Sequence, residues 1–108
     1  MIKQILNADF DKLGNGKDLF EADNFHVSVY DGGVVILSVW KYIKGDFGGE
    51  FLGDSAERFL INSELSKLSG AEIASIINFS YWFAKDASSS DFAEAINNTI
   101  AIHLKGKN

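Results

Sequence analysis

From Ile2 the apolar side chains fall at Ile2, Ile5, Leu6, Phe10 and Leu13, the spacing of one helix face, and the run stops at Gly14-Asn15-Gly16. Glycine enters the left-handed conformation that closes a helix without a Cβ clash, so the pattern predicts a first helix ending there. At Phe25 the period changes to two. Phe25, Val27 and Val29 alternate with His26, Ser28 and Tyr30 as far as Asp31-Gly32-Gly33, which reads as a strand entering a hairpin turn. The returning strand, from Val34 to about Ile43, is apolar on both faces, and two registers fit it. A three-residue loop with glycine in the left-handed position sets Val35, Leu37, Val39 and Ile43 beside Phe25, Val27 and Val29. His26, Tyr30, Trp40 and Tyr42 then share the reverse face. A two-residue Asp31-Gly32 loop would send Trp40 and Tyr42 to the aliphatic side, with a less clean segregation of side chains.

Residues 45–53 are rich in glycine and punctuated by Phe47 and Phe51, which predicts a loop, with room for a short strand around Phe51. Asp54 followed by Glu57 resembles an N-cap with its reciprocal acid, and Phe59, Leu60, Leu65 and Leu68 supply a helical stripe; residues 58–61 also fit a short strand. After Ser69-Gly70, residues 71–86 carry Ile73, Ile76, Ile77, Phe79, Tyr81, Trp82 and Phe83 over more than half a helix circumference. Such a helix is expected to be central and largely buried. Ser88-Ser89-Ser90 forms a linker, and Asp91 with Glu94 repeats the capping pattern before a last helix with Phe92, Ile96, Ile100 and Leu104 as its core stripe. His103, Lys105 and Lys107 place cations at its C-terminal end, where the helix dipole favours them. The expectation is one α+β domain over residues 1–108, a small antiparallel sheet built on a central β-hairpin and packed against about four helices.

Composition narrows the function classes. The 108 residues include 46% apolar side chains, 9 Phe and 2 Trp, sufficient for a core without metals or cross-links. The absence of Cys removes disulfide scaffolds, thiolate metal sites and cysteine nucleophiles, and it fits a reducing compartment, so the cytoplasm is the expected location. The N-terminal residues show no export signal, and the longest nearly apolar run, 34–40, is far short of the roughly 20 residues of a membrane span. A formal charge of −5 argues against direct nucleic-acid binding.

No catalytic, cofactor or metal constellation emerges. In a calcium-type loop beginning at Asp11, Leu13 would occupy the third position and Ala22 the twelfth, where a bidentate acid is required. Neither residues 45–53 nor Gly16-Lys17 completes a phosphate-binding loop. His26 and His103 fall on different elements, so a two-imidazole site would need tertiary structure to assemble it. The expectation is a protein that is not an enzyme and carries neither cofactor nor metal. Charge is more informative: residues 7–31 hold Asp9, Asp11, Asp18, Glu21, Asp23 and Asp31 against Lys12 and Lys17. Downstream, Asp46, Glu50 and Asp54 flank Phe47 and Phe51. Aromatic anchors ringed by acids suit a surface that meets a basic protein, because the rings supply desolvated contact and the charges steer the encounter. The candidate partner-binding residues are Asp9, Asp11, Asp18, Glu21, Asp23, Asp46, Glu50, Phe47 and Trp40.

A cysteine-free, acidic, aromatic-rich α+β chain of this size without a catalytic signature resembles the bacterial immunity proteins of contact-dependent growth inhibition and colicin systems. The resemblance implies a cytoplasmic toxin inhibitor in a stoichiometric protein–protein complex with a cognate toxin domain, often a basic nuclease. Acids that occupy a site built for phosphates agree with that implication. Other classes compatible with the same residues are a homo-oligomeric structural protein, a phage-encoded inhibitor and a small hydrolase.

Overall fold

The computed structural model describes residues 2–84 and 86–106. Five strands, β1 (Gln4–Ile5), β2 (Gly16–Glu21), β3 (Phe25–Tyr30), β4 (Val35–Lys44) and β5 (Glu50–Ile61), form one antiparallel sheet in the order β1-β5-β4-β3-β2. A single helical turn, α1 (Asn7–Phe10), links β1 to β2, and two longer helices, α2 (Gly70–Ala84) and α3 (Ser89–Gly106), follow the sheet. The fold is α+β, as the periodicities predict, with β4 at the centre of the sheet.

The β3–β4 turn sets the register. Tyr30 N–H donates to the Val34 carbonyl at 2.8 Å, and Gly32 and Gly33 take φ of 83° and 81°, which a side chain would oppose. Asp31–Gly33 is therefore the three-residue loop, and Val29 pairs with Val35, Val27 with Leu37 and Phe25 with Val39. β5 continues the rows by placing Ile61 opposite Val35 and Phe59 opposite Leu37. These residues make one apolar face, on which Ile73, Ile76 and Ile77 of α2 and Phe92, Ile96 and Ile100 of α3 close the core. Each such fully buried side chain contributes about 1.5–3 kcal/mol of transfer free energy.

Both long helices begin with reciprocal caps. Ser69 Oγ accepts from Glu72 N–H while Ser69 N–H donates to Glu72 Oε1, and Ser88 and Asp91 repeat the exchange at α3. The cap expected at Asp91 with Glu94 thus lies three residues earlier. Glu72 Oε2 also meets His103 Nε2 at 2.7 Å, and Ser80 Oγ donates to Thr99 Oγ1, so α2 and α3 pack antiparallel. Asn97 of α3 accepts from Asn62 N–H at 2.8 Å and donates to the Leu60 carbonyl, tying the helix layer to the end of β5. Phe92, Ile96 and Ile100 are buried and Leu104 is half-buried, as the stripe predicts. Lys107 lies outside the described residues.

Four expectations are corrected. The first helix is reduced to the turn of α1, because Gln4 and Ile5 pair with Phe59 and Arg58 along the edge of β5. A twelve-residue segment forms only a marginal helix alone, and a free strand edge outcompetes it. The helix expected from Asp54 is β5, followed only by a 3-10 turn at Ser63–Lys67; pairing along most of β4 overrides the local capping signal. Residues 17–21, where the pattern predicts no element after the Gly14-Asn15-Gly16 stop, belong to β2; a bulge between Asp18 and Phe20 breaks its period of two and hides the strand. Finally, α2 is not central: Phe79, Trp82 and Phe83 are 62%, 68% and 79% exposed, because no layer covers the outer side of the helix pair. Three α-helices rather than about four are present among the described residues, and none of them is long and apolar enough to cross a membrane.

The register makes adjacent β5 positions unequal. Phe59→Ala is expected to cost about 3–5 kcal/mol by leaving a cavity under the helices, whereas Leu60→Ala, at the 38%-exposed neighbouring position, should cost less than about 1 kcal/mol. Paired urea denaturation curves of the two variants check this difference. Asn97→Ala should cost about 1–3 kcal/mol in the same assay, because it leaves the Asn62 N–H and the Leu60 carbonyl without their side-chain partner.

Candidate functional site

β3 stops pairing with β4 at Val39, and β1 reaches only Arg58 and Phe59 of β5. Beyond those points β4 and β5 continue alone as a two-stranded arm, with Tyr42 opposite Leu52, Ile43 opposite Phe51 and Lys44 opposite Glu50. The arm lengthens the molecule to 53 Å against 31 and 25 Å in the other directions. Its turn is closed by Gly48 N–H donating to the Gly45 carbonyl at 3.1 Å and Gly45 N–H donating to that of Gly49 at 2.6 Å. Asp46 and Phe47 occupy the apex, where Phe47 is fully exposed.

The arm is apolar where a water-facing hairpin is normally polar. Tyr42, Ile43, Phe51 and Leu52 are between 38% and 54% exposed, Tyr42 with Leu52 on one face and Ile43 with Phe51 on the other, and with Phe47 at the apex they leave both faces of the arm apolar and unburied. Gly53 permits this packing: a Cβ there would stand 2.7 Å from Ile43 Cδ1, so the glycine lets Ile43 lie across β5. The register shift between Trp40 and Tyr42 accommodates the additional β5 residues before the arm. Charge frames the apolar strip. Asp46, Glu50 and Asp54 are exposed along it, with Lys44 opposite Glu50 and Lys41 Nζ paired with Glu57 Oε1 at 3.4 Å at its base, so acids outnumber bases along the arm.

At that base, a groove of about 580 Å³ separates the arm from the α2–α3 connection. Phe25, Val39, Tyr42, Tyr81 and Phe92 line it, with Tyr81 and Phe92 ring-packed on Phe25 at 5.8 and 5.0 Å. The β2–β3 turn is stitched to the same place: Trp40 N–H donates to the Asn24 carbonyl at 2.8 Å, and Asn24 Nδ2 donates back to the Trp40 carbonyl. Asp23 and Glu21 therefore stand beside the root of the arm.

The acids expected to form one face divide into separate groups. Glu21 and Asp23 lie at the arm's root, and Asp46 and Glu50 at its tip. Asp9 and Asp11 belong to α1 and the residue after it, whose Phe10 packs edge-on against Tyr30 at 5.2 Å, at the other end of β3. Asp18 accepts a 2.6 Å hydrogen bond from Ser28 Oγ, which gives it a structural task. Trp40 is half-buried on the sheet's reverse face with His26 edge-on to its ring at 5.1 Å, as the three-residue register requires. α1 covers part of that face: the Arg58 guanidinium sits 4.0 Å over the Phe10 ring and donates to Asn7 Oδ1 at 2.9 Å.

His26, 3.7 Å from Glu21, and His103, bonded to Glu72, occupy opposite sides of the sheet and do not come together. Among the described residues no group of three or more His, Asp or Glu side chains is placed to hold a metal ion. The sequence pattern singles out neither Leu52 nor Gly53, and it sets Ile43 beside Phe25, Val27 and Val29, whereas Ile43 stands 46% exposed on the arm because β3 ends opposite Val39. The signal for the arm was available in Lys41-Tyr42-Ile43-Lys44 and Glu50-Phe51-Leu52 flanking a short glycine-rich segment, the pattern of a second hairpin. Comparison with protein-family models, curated proteins and solved structures finds no match to this chain.

Proposed function

We propose that this chain is a binding inhibitor of immunity-protein type that uses the β4–β5 arm and the groove at its root to dock on a cognate toxin domain and neutralise it. The observation that carries this reading is the arm itself, a two-stranded projection with five apolar side chains exposed and carboxylates along its length. A two-stranded hairpin is marginally stable in water, and burying its side chains against a partner supplies the packing that its own fold withholds. Phe47, Phe51 and Tyr42 act as the anchors, and the groove beside Tyr81 and Phe92 receives a loop of the partner.

The charge pattern selects the partner class. Asp46 and Glu50 at the tip, with Glu21 and Asp23 at the root, present carboxylates on both sides of the apolar strip. A basic nuclease domain fits that arrangement, because the tip carboxylates can occupy positions built for phosphate oxygens while the long-range field steers association. Asp9, Asp11 and Asp18 contribute to that field rather than to contact.

The test is capture from the native cell with the full chain and with Phe47→Ala/Phe51→Ala side by side, followed by mass spectrometry and a co-expression rescue assay. The native chain should retain one basic partner at equal stoichiometry and suppress its toxicity. The paired variant should lose at least about 100-fold in affinity, the effect of removing two hot-spot aromatics, while unfolding at the same denaturant concentration. Capture of the same partner at unchanged affinity would remove the arm from the interface. With the partner in hand, Glu21→Lys/Asp23→Lys should slow association mainly at low salt and leave dissociation nearly unchanged. Stopped-flow measurements across ionic strengths distinguish this from a contact role.

A further inference from the structure

We infer that the outer face of the α2–α3 pair is a two-fold interface for a second copy of this chain. The inference is independent of the toxin-inhibitor reading and concerns the part of the molecule not occupied by the arm. Phe79, Trp82 and Phe83 of α2 and Ile102 of α3 are 62–79% exposed, and Phe79 stacks on Phe83 with ring centroids 6.5 Å apart. Phe83 lines the groove between the helices with Asp91, Glu94, Ala95 and Asn98, so the groove opens toward an acidic end of the patch. Because α2 and α3 run antiparallel, Phe79, one turn before Phe83, stands level with Ile102, one turn after Asn98. Allowing roughly 200 Å² for each large side chain, the patch exposes on the order of 500 Å² of apolar surface per copy. Two such faces bury about 1,000 Å² of apolar surface, the lower limit for a biological interface, before the polar rim is added.

Charge identifies the occupant. The centre of the patch, at Phe79, Trp82, Ala101 and Ile102, is uncharged in a chain of net charge −5, and Asp91 and Glu94 beside Phe83 mark its acidic end. Such a neutral centre spares two copies of an acidic chain the like-charge repulsion that other parts of the surface would impose. The rim is self-complementary. Glu94, Asn98, Ala101 and Lys105 are all exposed and follow each other at i, i+4, i+7 and i+11, so they share one face of α3. Glu94 and Lys105 then lie about 16 Å apart along the helix, at opposite ends of the patch. A two-fold axis perpendicular to α3, passing between Asn98 and Ala101, brings each Glu94 to the Lys105 of the other copy. Both arms remain free in this arrangement.

Sedimentation equilibrium of the full chain in the micromolar range is expected to give twice the mass of one chain. Phe83→Glu should raise the dimer dissociation constant at least about 100-fold, because it places a carboxylate in the desolvated patch of both halves. Glu94→Lys should weaken the dimer by about 5- to 10-fold at low salt through two new like-charge contacts, and Glu94→Lys/Lys105→Glu should restore it to within about twofold. The charge exchange uses exposed positions, so it keeps the test open even where Phe83→Glu perturbs folding as read by circular dichroism. A single-chain mass throughout that range would overturn the inference. So would a dimer indifferent to both Phe83→Glu and the Glu94 reversal, or one abolished by Phe51→Ser instead.

Discussion

The three-residue turn Asp31–Gly33 is the constraint on which the other elements depend, because it fixes which face of β3 and β4 is buried. With Gly32 and Gly33 at positive φ, Val29 and Val35 meet, and every second residue from there points under the helices. A slip of one residue would bring Ile36, Ser38 and Trp40 under α2 and α3 and turn Val35, Leu37 and Val39 away. β5 inherits the register through Phe59 and Ile61, and the helices close over the rows that result. Trp40 lies against His26 on the opposite face for the same reason. The arm is what remains of β4 and β5 once β3 and the helix layer have ended.

A two-layer architecture leaves this chain with more apolar surface than it can bury. The buried face of the sheet is served by α2 and α3, and α1 with its Phe10 and Arg58 contacts covers only part of the reverse face. Two surfaces remain, and they differ in chemistry. The arm mixes aromatics with carboxylates that outnumber its two lysines, while the outer helix face is aromatic and neutral at its centre, with Asp91 and Glu94 at one end and Lys105 at the other. Opposite electrostatic character separates what each can accept, since a carboxylate-lined strip repels a second acidic copy and a neutral centre gives a basic partner nothing to read.

The elements legible in the sequence are those whose periodicity coincides with their tertiary environment. The β3–β4 hairpin and α3 bury the stripe that their spacing displays, and α2 buries Ile73, Ile76 and Ile77 of its own while Phe79, Trp82 and Phe83 stay exposed. The bulge between Asp18 and Phe20 removes that coincidence from β2. In β5 it is lost because Phe59, Leu60 and Ile61 are apolar on both faces and Asp54 with Glu57 imitates a cap. The candidate site was legible in the same uneven way. Phe47, Asp46 and Glu50 mark the arm's tip, but the arm as an object depends on where β3 stops, which no local pattern encodes. The acidic run of residues 7–31 reads as one surface along the chain, and folding sends its two halves to opposite ends of β3.

The carboxylates of the arm follow from its geometry as much as from any partner. The stretch of β5 from Glu50 to Glu57 lies beyond the reach of β1, so its outer backbone groups form an unpaired strand edge. Such an edge next to Phe51 and Leu52 is a template for pairing between copies. Glu50, Asp54 and Glu57 lie on that strand at intervals of three or four residues, and two acidic edges brought side by side repel. The charges that guard the edge against its own kind are therefore the same charges that would attract a basic surface. Protection and recognition need not have been selected separately, because an exposed apolar hairpin whose acidity opposes edge-to-edge pairing already carries half of the complementarity to a cationic partner.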